Sequence, residues 1–221
     1  MDLFDLSHTL TRPLWERVSW PWEVLALLPA FVLDLGPRLG PDFEQIVPGV
    51  WVGRGTVIDP LAAPRGPAIV GRDCSLRPGA YLRASVLVGD GCELGNSSEF
   101  KNCILFDGCQ VPHFSYIGDS VLGWRVHFGA GATASNFKAG GGEVSVEWEG
   151  RRVPTGLNKL GVLAGDGADV GSQAVLNPGT ILGRGCVVYP LVSLRGTVPA
   201  NTIVKSADRV TWVAKTARPD P

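Results

Sequence analysis

The sequence of 221 residues has little of what metal and redox chemistry usually depend on. It contains one methionine, three histidines, and five cysteines, no two of which form a CxxC pair. Zinc sites commonly take paired thiolates at that spacing. We therefore expect no metal site and no cofactor held by the cysteines.

No charge of one sign is in excess, and no apolar run is long. The formal net charge is −1 and the Lys and Arg residues are scattered, so we expect neither nucleic acid nor an anionic membrane as a partner. The most apolar stretch, Val24 to Leu35, contains Pro29 and is too short to cross a bilayer. Because no basic segment precedes an apolar run at the N-terminus, no signal peptide is predicted and a cytoplasmic location is expected.

A repeat with a period of six dominates most of the chain. An apolar residue returns at almost every sixth position, and a small or β-branched residue follows four positions later. This period fits neither an α-helix nor a simple alternating strand. It is typical of a hexapeptide-repeat parallel β-helix, in which three short strands complete a coil of about 18 residues. The first position is occupied by Val52, Ile58, Pro64, Val70, Leu76, Leu82, Val88, Leu94, Phe100, Leu105, Val111, Ile117, Leu122, Phe128, Ala134, Ala164, Val170, Leu176, Leu182, Val188 and Leu194.

The predicted fold is mostly β, a single parallel β-helix of about seven coils. The second inward position of the repeat contains Ile104, Val121 and four of the cysteines, Cys74, Cys92, Cys109 and Cys186. We predict that these four cysteines are buried, stacked core residues.

The repeat divides the chain into segments. Residues 1–48 lack the period and are predicted to form a helical cap over the first coil, whose open edge needs covering. Residues 49–206 form the β-helix. Within it, residues 137–161 break the period and read as a hairpin that turns at Glu149–Gly150, inserted at a corner where binding faces tend to lie. Residues 207–221 are predicted to pack along the outside or to cross to a neighbouring molecule.

Polar side chains concentrate between residues 95 and 136. Arg83 and Lys101 each follow an inward residue and are separated by one full coil of the repeat, which predicts that they stack on one outer corner. Adjacent cations repel unless an anion neutralises them, so a phosphate or carboxylate ligand is one hypothesis, and Glu99 as their counter-ion is the other.

His113 is a candidate general base, because histidine as a residue type suits proton transfer near neutrality. A surface histidine without a task is the alternative.

The run EFKN…VPHFSYIGDS…GAG…SN resembles the acetyltransferase half of the bifunctional N-acetylglucosamine-1-phosphate uridyltransferase/glucosamine-1-phosphate acetyltransferase family. The resemblance covers about residues 70–205. It implies a left-handed β-helix, a homotrimer, and acetyl-CoA as co-substrate bound between neighbouring β-helices. The implied activity is N-acetylation of an amino sugar phosphate similar to glucosamine-1-phosphate. The hand of the coil rests on the resemblance alone, since parallel crossovers are usually right-handed.

The resemblance also implies roles for individual residues. His113 would deprotonate the sugar amine, and Arg83, Lys101 and Tyr116 would hold the sugar phosphate. Asn136 would contact acetyl-CoA or its acetyl group. The coenzyme would also meet the backbone N–H of Ala130 and the side chain of Ser172.

Some positions depart from the family pattern. The family's second asparagine in the sugar site falls on His127, and the tyrosine after the acetyl-site asparagine falls on Phe137. The next lysine of the pattern has no clean partner; Lys138 or Lys159 could serve, and Lys159 is the candidate for binding the coenzyme. Arg77 competes with Arg83 for the phosphate, because an RPG sequence occurs one hexad early. The substrate is therefore expected to differ from glucosamine-1-phosphate.

One other function stays open, and a third is disfavoured. Residues 1–48 contain no Gly-rich nucleotide loop and leave no room for a uridyltransferase fold, so the chain is not expected to make a nucleotide sugar by itself. The main alternative is a non-catalytic module that binds a sugar phosphate or nucleotide sugar, trimerises, and works with a separate nucleotidyltransferase. A γ-type carbonic anhydrase on the same fold needs three histidine ligands, and only His113 and His127 lie in the repeat.

Overall fold

Three columns of short parallel strands build the molecule, one strand of each column in every coil. The computed structural model describes residues 2–206. Val50 pairs with Ala68, and Ala68 pairs with Val86, so these two steps have the full coil length that the repeat predicts. The next step, from Val86 to Cys103, is shorter by one position. The predicted fold, a mostly β parallel β-helix with an N-terminal helical segment and an inserted hairpin, is confirmed.

The element bounds are as follows. Two α-helices span Arg12–Trp15 (α1) and Val24–Leu35 (α2), and 3-10 turns span Leu6–His8, Pro21–Glu23 and Gly36–Arg38. The strands are β1 Phe43–Val47, β2 Val50–Gly53, β3 Val57–Ile58, β4 Ala63–Pro64, β5 Ala68–Val70, β6 Ser75–Leu76, β7 Tyr81–Val88, β8 Glu93–Asn96, β9 Glu99–Leu105, β10 Gln110–His113, β11 Tyr116–Leu122, β12 His127–Phe128, β13 Thr133–Ala134, β14 Ser145–Trp148, β15 Arg151–Pro154, β16 Val162–Ala164, β17 Asp169–Val170, β18 Val175–Leu176, β19 Thr180–Leu182, β20 Val187–Val188, β21 Ser193–Leu194, β22 Thr197–Val198 and β23 Ile203–Val204.

The β-helix is longer than the seven coils predicted. One column is an 8-stranded sheet that runs from β3 to β23. The column that begins with β2 continues through β22, and β1 pairs antiparallel with β2 as a further layer at its end. The sequence count missed these terminal strands because it followed whole hexads only.

Residues of similar size stack from coil to coil in the interior, as in the row of Leu76, Leu94 and Val111 beside the row of three cysteines. Cys74, Cys92 and Cys109 are buried on successive coils, and the Cys92 N–H donates to Cys74 Sγ at 3.4 Å. Cys186 is also buried, but the register places it next to Ala168. The predicted stack is therefore confirmed for three cysteines and wrong for Cys186.

One column, which we call the covered face, is buried on both sides. Its outward residues form an apolar stripe: Trp51, Ile69, Leu87, Ile104, Val121, Leu163 and Ile181. The sequence analysis placed Ile104 and Val121 in the interior, and this is wrong. Cys103 and Leu105 contact the inner core, while Ile104 between them points outward, because successive side chains of a strand face opposite sides.

Helix α2 covers this stripe. Its buried residues, Val24, Leu25, Leu28 and Val32, recur at helical spacing, and the helix packs on β7 and β9. The helical segment therefore covers a side of the β-helix, whereas we predicted that it covers the first coil. Strand β1 occupies the edge of that coil instead.

The inserted hairpin packs against the same apolar cluster. Strands β14 and β15 pair antiparallel around Glu149–Gly150, as predicted. Val144 and Val146 are buried in the cluster with α2, and the Trp148 ring lies 5.9 Å from that of Trp20. Among residues 2–206, no helix combines the length and apolar character needed to cross a membrane. The prediction for residues 207–221 falls outside the described residues.

Replacing Ile104 by Ala should lower the free energy of unfolding by about 2–5 kcal/mol, because Ile104 is fully buried beneath α2 and would leave a cavity. Val57→Ala, at a position 68% exposed on another column, should cost under about 1 kcal/mol. Urea denaturation of both variants measures the difference. Equal effects would contradict the assignment of Ile104 to a buried outer stripe.

Candidate functional site

The column that contains β4, β13, β18 and β21, with the first halves of β7, β9 and β11, has polar residues on its outer side. We call it the polar face. Lys101 pairs with Gly118, and the register continues through Ser135, Asn177 and Arg195. These five residues therefore occupy equivalent outward positions, one coil apart, and form a row along the polar face.

A buried carboxylate organises one end of this row. Asp119 is 5% exposed, and its oxygens accept hydrogen bonds from Lys101 Nζ at 3.0 and 3.1 Å and from Asn102 Nδ2 at 2.8 Å. Asn136 Nδ2 also donates to Asp119, and it lies 3.0 Å from Tyr116 Oη. The structure thus brings together three predicted site residues, Lys101, Tyr116 and Asn136, through an aspartate that the sequence analysis did not identify.

The backbone at the corner of the polar face explains why Asn102 and Asp119 stand there. Both have a positive φ of 47°, a conformation that Asn and Asp tolerate better than most residues. Gly118 precedes Asp119, and a Cβ at that position would collide with the Tyr116 hydroxyl and the Asn136 amide. The close packing of Tyr116 and Asn136 therefore depends on a glycine between them.

The environment of Tyr116 favours its neutral hydroxyl. Partial burial raises the pKa of Tyr116, and the nearby carboxylates of Asp119 and Glu99 act in the same direction. The hydrogen bond with Asn136 opposes that rise. Tyr116 can therefore serve as a hydrogen-bond donor at neutral pH.

Arg83 and Lys101 do not stack, and that prediction is wrong. Leu82 pairs with Phe100, but Ala84 pairs with Lys101, so Arg83 is the extra residue of a β-bulge. Arg83 instead forms an ion pair with Glu99 at 3.1 Å, and Lys101 forms one with Asp119. Each cation has its own carboxylate, so the two do not require an anionic ligand between them. Glu99, the alternative counter-ion, is the partner of Arg83.

A second row of predicted residues lies at the corner between the 8-stranded sheet and the polar face. His113, Ala130 and Ser172 occupy equivalent positions of successive coils. The His113 carbonyl accepts from Gly131 N at 3.0 Å, the Ala130 carbonyl accepts from Gln173 N at 2.9 Å, and the Ser172 carbonyl accepts from Leu191 N at 3.0 Å. We call these three residues the corner row.

The corner row presents unused hydrogen-bonding groups. The exposed imidazole of His113 and the backbone N–H of Ala130 make no hydrogen bond with any residue between 2 and 206. At the same position, other coils have Pro78 and Pro190, which possess no N–H. The ladder therefore does not need a donor at this position, and the N–H of Ala130 is free to bind a ligand.

The remaining predicted residues lie away from the Asp119 cluster. Arg77 forms an ion pair with Glu93 at 2.7 Å, and His127 Nδ1 lies 2.8 Å from Asp169 Oδ1 on the outer side of the 8-stranded sheet. Lys159 is exposed at the end of the insertion. None of the three makes a hydrogen bond with the cluster in the described part of the chain. That part also has no group of three or more His, Cys, Asp and Glu residues placed to hold a metal ion.

Comparison with known proteins gives the fold and the site a context. Residues 64–151 match the family described as the GMPPB C-terminal domain. A bifunctional protein GlmU from Methanococcus maripaludis is 29% identical over 204 residues, which is 91% of this chain and 49% of that protein. The Sulfurisphaera tokodaii bifunctional sugar-1-phosphate nucleotidylyltransferase/acetyltransferase is 34% identical over 51% of this chain and 28% of its own length. The resemblance predicted from the sequence is confirmed.

The chain spans about half the length, or less, of the curated relatives that it matches. Among solved structures, an N-acyltransferase from Bacillus cereus in complex with dTDP and coenzyme A is 15% identical. The match covers 79% of this chain and 91% of that one, with a TM-score of 0.36.

Replacing Asp119 by Ala should destabilise the protein by about 2–4 kcal/mol, because three donors would lose their shared acceptor in a nearly buried place. Glu99→Ala is the matched control. It removes a carboxylate from an exposed ion pair with Arg83, and should cost under about 1 kcal/mol. Thermal and urea unfolding measure both. A mild effect of Asp119→Ala would show that the cluster is not held by this carboxylate.

Proposed function

We propose that the protein is an acetyl-CoA-dependent N-acetyltransferase that acts on an amino sugar phosphate similar to glucosamine-1-phosphate. The observation that carries the proposal is the position of His113 and Ala130. A free imidazole and a free backbone N–H lie one coil apart, about 4.8 Å along the β-helix, at the edge of the polar face. The similarity to a bifunctional protein GlmU over 91% of the chain, and to a bifunctional sugar-1-phosphate nucleotidylyltransferase/acetyltransferase over 51%, supports the same activity.

The chemistry requires a neutral amine close to a thioester. In the proposed step, the His113 imidazole accepts a proton from the sugar amine, and the amine nitrogen attacks the thioester carbonyl carbon. The new C–N bond forms a tetrahedral intermediate, and the Ala130 N–H stabilises its oxygen anion. When the C–S bond breaks, the coenzyme leaves as a thiolate, which takes up the proton held by His113. The products are the N-acetylated sugar and coenzyme A.

Binding groups surround this pair of residues. We propose that Lys101 and Tyr116 contact the sugar phosphate and that the exposed Arg83 contacts it from the rim. Asn136, held by Asp119, would face the acetyl group, and Ser172 would lie beside the coenzyme on the next coil after Ala130. Arg77, His127 and Lys159 have no hydrogen bond to the Asp119 cluster, so the structure gives no added support to their predicted roles in binding.

The replacement His113→Ala tests the mechanism. It should lower kcat by about 10²–10⁴-fold, because general-base help is of that size, while the affinity for the sugar phosphate stays nearly unchanged. Release of free thiol from acetyl-CoA, with a series of amino sugars and their phosphates, measures turnover. Lys101→Ala should instead weaken substrate binding, by about 1.5–3 kcal/mol. Full turnover by His113→Ala would contradict the mechanism.

The same assay separates the two functions left open by the sequence. A wild-type protein that binds an amino sugar phosphate without releasing thiol would be the non-catalytic binding module. Wild-type thiol release that depends on the amino sugar would rule the module out.

A homotrimer is the assembly we propose, because the corner row is exposed in a single chain and acyl transfer needs a site closed against water. The inserted hairpin, which we considered as a contact to a neighbouring chain, packs on its own chain through Val144 and Val146. Light scattering at micromolar concentration should give three times the mass of the chain, which is 23.4 kDa. A monomer at that concentration would argue strongly against a complete acetyl-CoA site.

A further inference from the structure

Positive charge is unevenly neutralised along the polar face. At the end near His113, Lys101 is neutralised by Asp119 and Arg83 by Glu99. These four side chains contribute no net charge, so beyond the hydrogen bonds that Lys101 and Arg83 can donate they add little attraction for a multiply charged phosphate ligand. The positive charge that is not neutralised lies further along the same face.

A cleft lies between the polar face and the inserted hairpin. A cavity of about 650 Å³ lies beside Lys138, Arg195 and Asn177, with Phe137 on its rim. It is within the size range of small-molecule sites. A smaller cavity of about 230 Å³ shares Lys138 and Arg195 and adds Arg152. We call the two cavities together the hairpin cleft.

The hairpin cleft contains more cationic than anionic side chains. Within residues 2–206, none of Lys138, Arg152 and Arg195 forms an ion pair. Lys138 Nζ donates to the carbonyl oxygen of Glu143, an uncharged partner. One carboxylate, that of Glu147, lines the smaller cavity. Three cations against one carboxylate leave the cleft electropositive, as a site for phosphate groups requires.

The hairpin cleft is continuous with the proposed catalytic site along the polar face. Arg195 belongs to the same outward row as Lys101, four coils along, at about 4.8 Å per coil. Gly118 has no side chain to divide the row, and Asn136 of the Asp119 cluster is joined directly to Phe137. An elongated ligand can therefore lie along the face with one end beside Tyr116 and the other in the hairpin cleft.

We propose that the hairpin cleft binds a nucleoside diphosphate, with Lys138 and Arg195 on the phosphates and the half-exposed Phe137 ring stacked on the base. The ligand would be the nucleotide part of a nucleotide-linked amino sugar, or the nucleotide part of coenzyme A. The inference rests on the proposed function for the amino sugar, but nucleotide binding can be measured without any acetyl transfer.

Calorimetric titration with UDP, in the absence of acetyl-CoA, tests the cleft. Arg195→Ala and Lys138→Ala should each weaken UDP binding about 10- to 100-fold through loss of a charge-assisted hydrogen bond. Arg125→Ala removes the same charge from a side chain that stacks on Trp124 outside the cleft, and should leave UDP binding unchanged. Phe137→Leu keeps the apolar bulk and should weaken UDP while leaving inorganic pyrophosphate unaffected.

The outcomes are distinct. Absence of UDP and coenzyme A binding to the wild type, or equal losses in Arg125→Ala and Arg195→Ala, would overturn the proposal. Weaker coenzyme A binding in Arg195→Ala, with UDP unaffected, would assign the cleft to the coenzyme. Weaker UDP binding with coenzyme A unaffected would assign it to a nucleotide sugar. A wild type that binds UDP but transfers no acetyl group would refute the proposed function, while the assignment of the hairpin cleft as a nucleotide site would stand.

Discussion

The length of each coil is the constraint on which the rest of this structure depends. Parallel pairing places residues one coil apart side by side along most of the β-helix, as in Ala68–Val86 and Val86–Cys103. Since successive residues of a strand face opposite sides, a slip of a single position in the register exchanges the inside and the outside. The bulge at Arg83 is such a change, and it decides which cations can meet on the polar face.

Of the three outer surfaces of the β-helix, one contributes to stability and another carries the proposed binding groups. On the covered face, a stripe that includes Leu87 and Ile104 is sealed by α2, so this side adds to the core. On the polar face, the main buried interaction is the acceptance of hydrogen bonds by Asp119. A buried carboxylate is tolerable where its donors are complete, and Lys101, Asn102 and Asn136 supply them. The proposed binding groups are thereby held in place on the sheet.

The sequence predicted the architecture because a period of six recurs in nearly every coil. It also predicted the hairpin, whose alternation of Val144 and Val146 is a local signal. Ile104 was misplaced because Cys103, one position earlier, is also apolar, and a shortened coil gives no local mark of the slip. The helical segment was placed on the wrong surface because the apolar stripe is visible only when residues such as Ile69 and Leu87, one coil apart, are compared across coils.

The candidate site shows the same limit. Lys101 was found through its spacing from Arg83, His113 through its residue type, and Tyr116 through the motif resemblance. Asp119 lies 18 residues after Lys101, so the spacing used for Arg83 could have found it as well. An aspartate after glycine is common in turns, so its residue type alone does not mark it as a site residue. The prediction that Arg83 and Lys101 stack was wrong because a spacing of one coil brings two residues together only where the strand register is unbroken. The bulge between Leu82 and Ala84 breaks that register.

The hairpin connects the stability of the covered face with the shape of the hairpin cleft. In β14, Val146 is buried in the apolar cluster with α2, and Glu147, the next residue, lines the smaller cavity. The same alternation that anchors the strand therefore fixes the position of its polar side chain. The other wall contains Gly140 and Gly141, where added side chains would meet open space. One wall of the cleft is thus set by core packing, and the other is a glycine segment whose backbone can adjust to the proposed ligand.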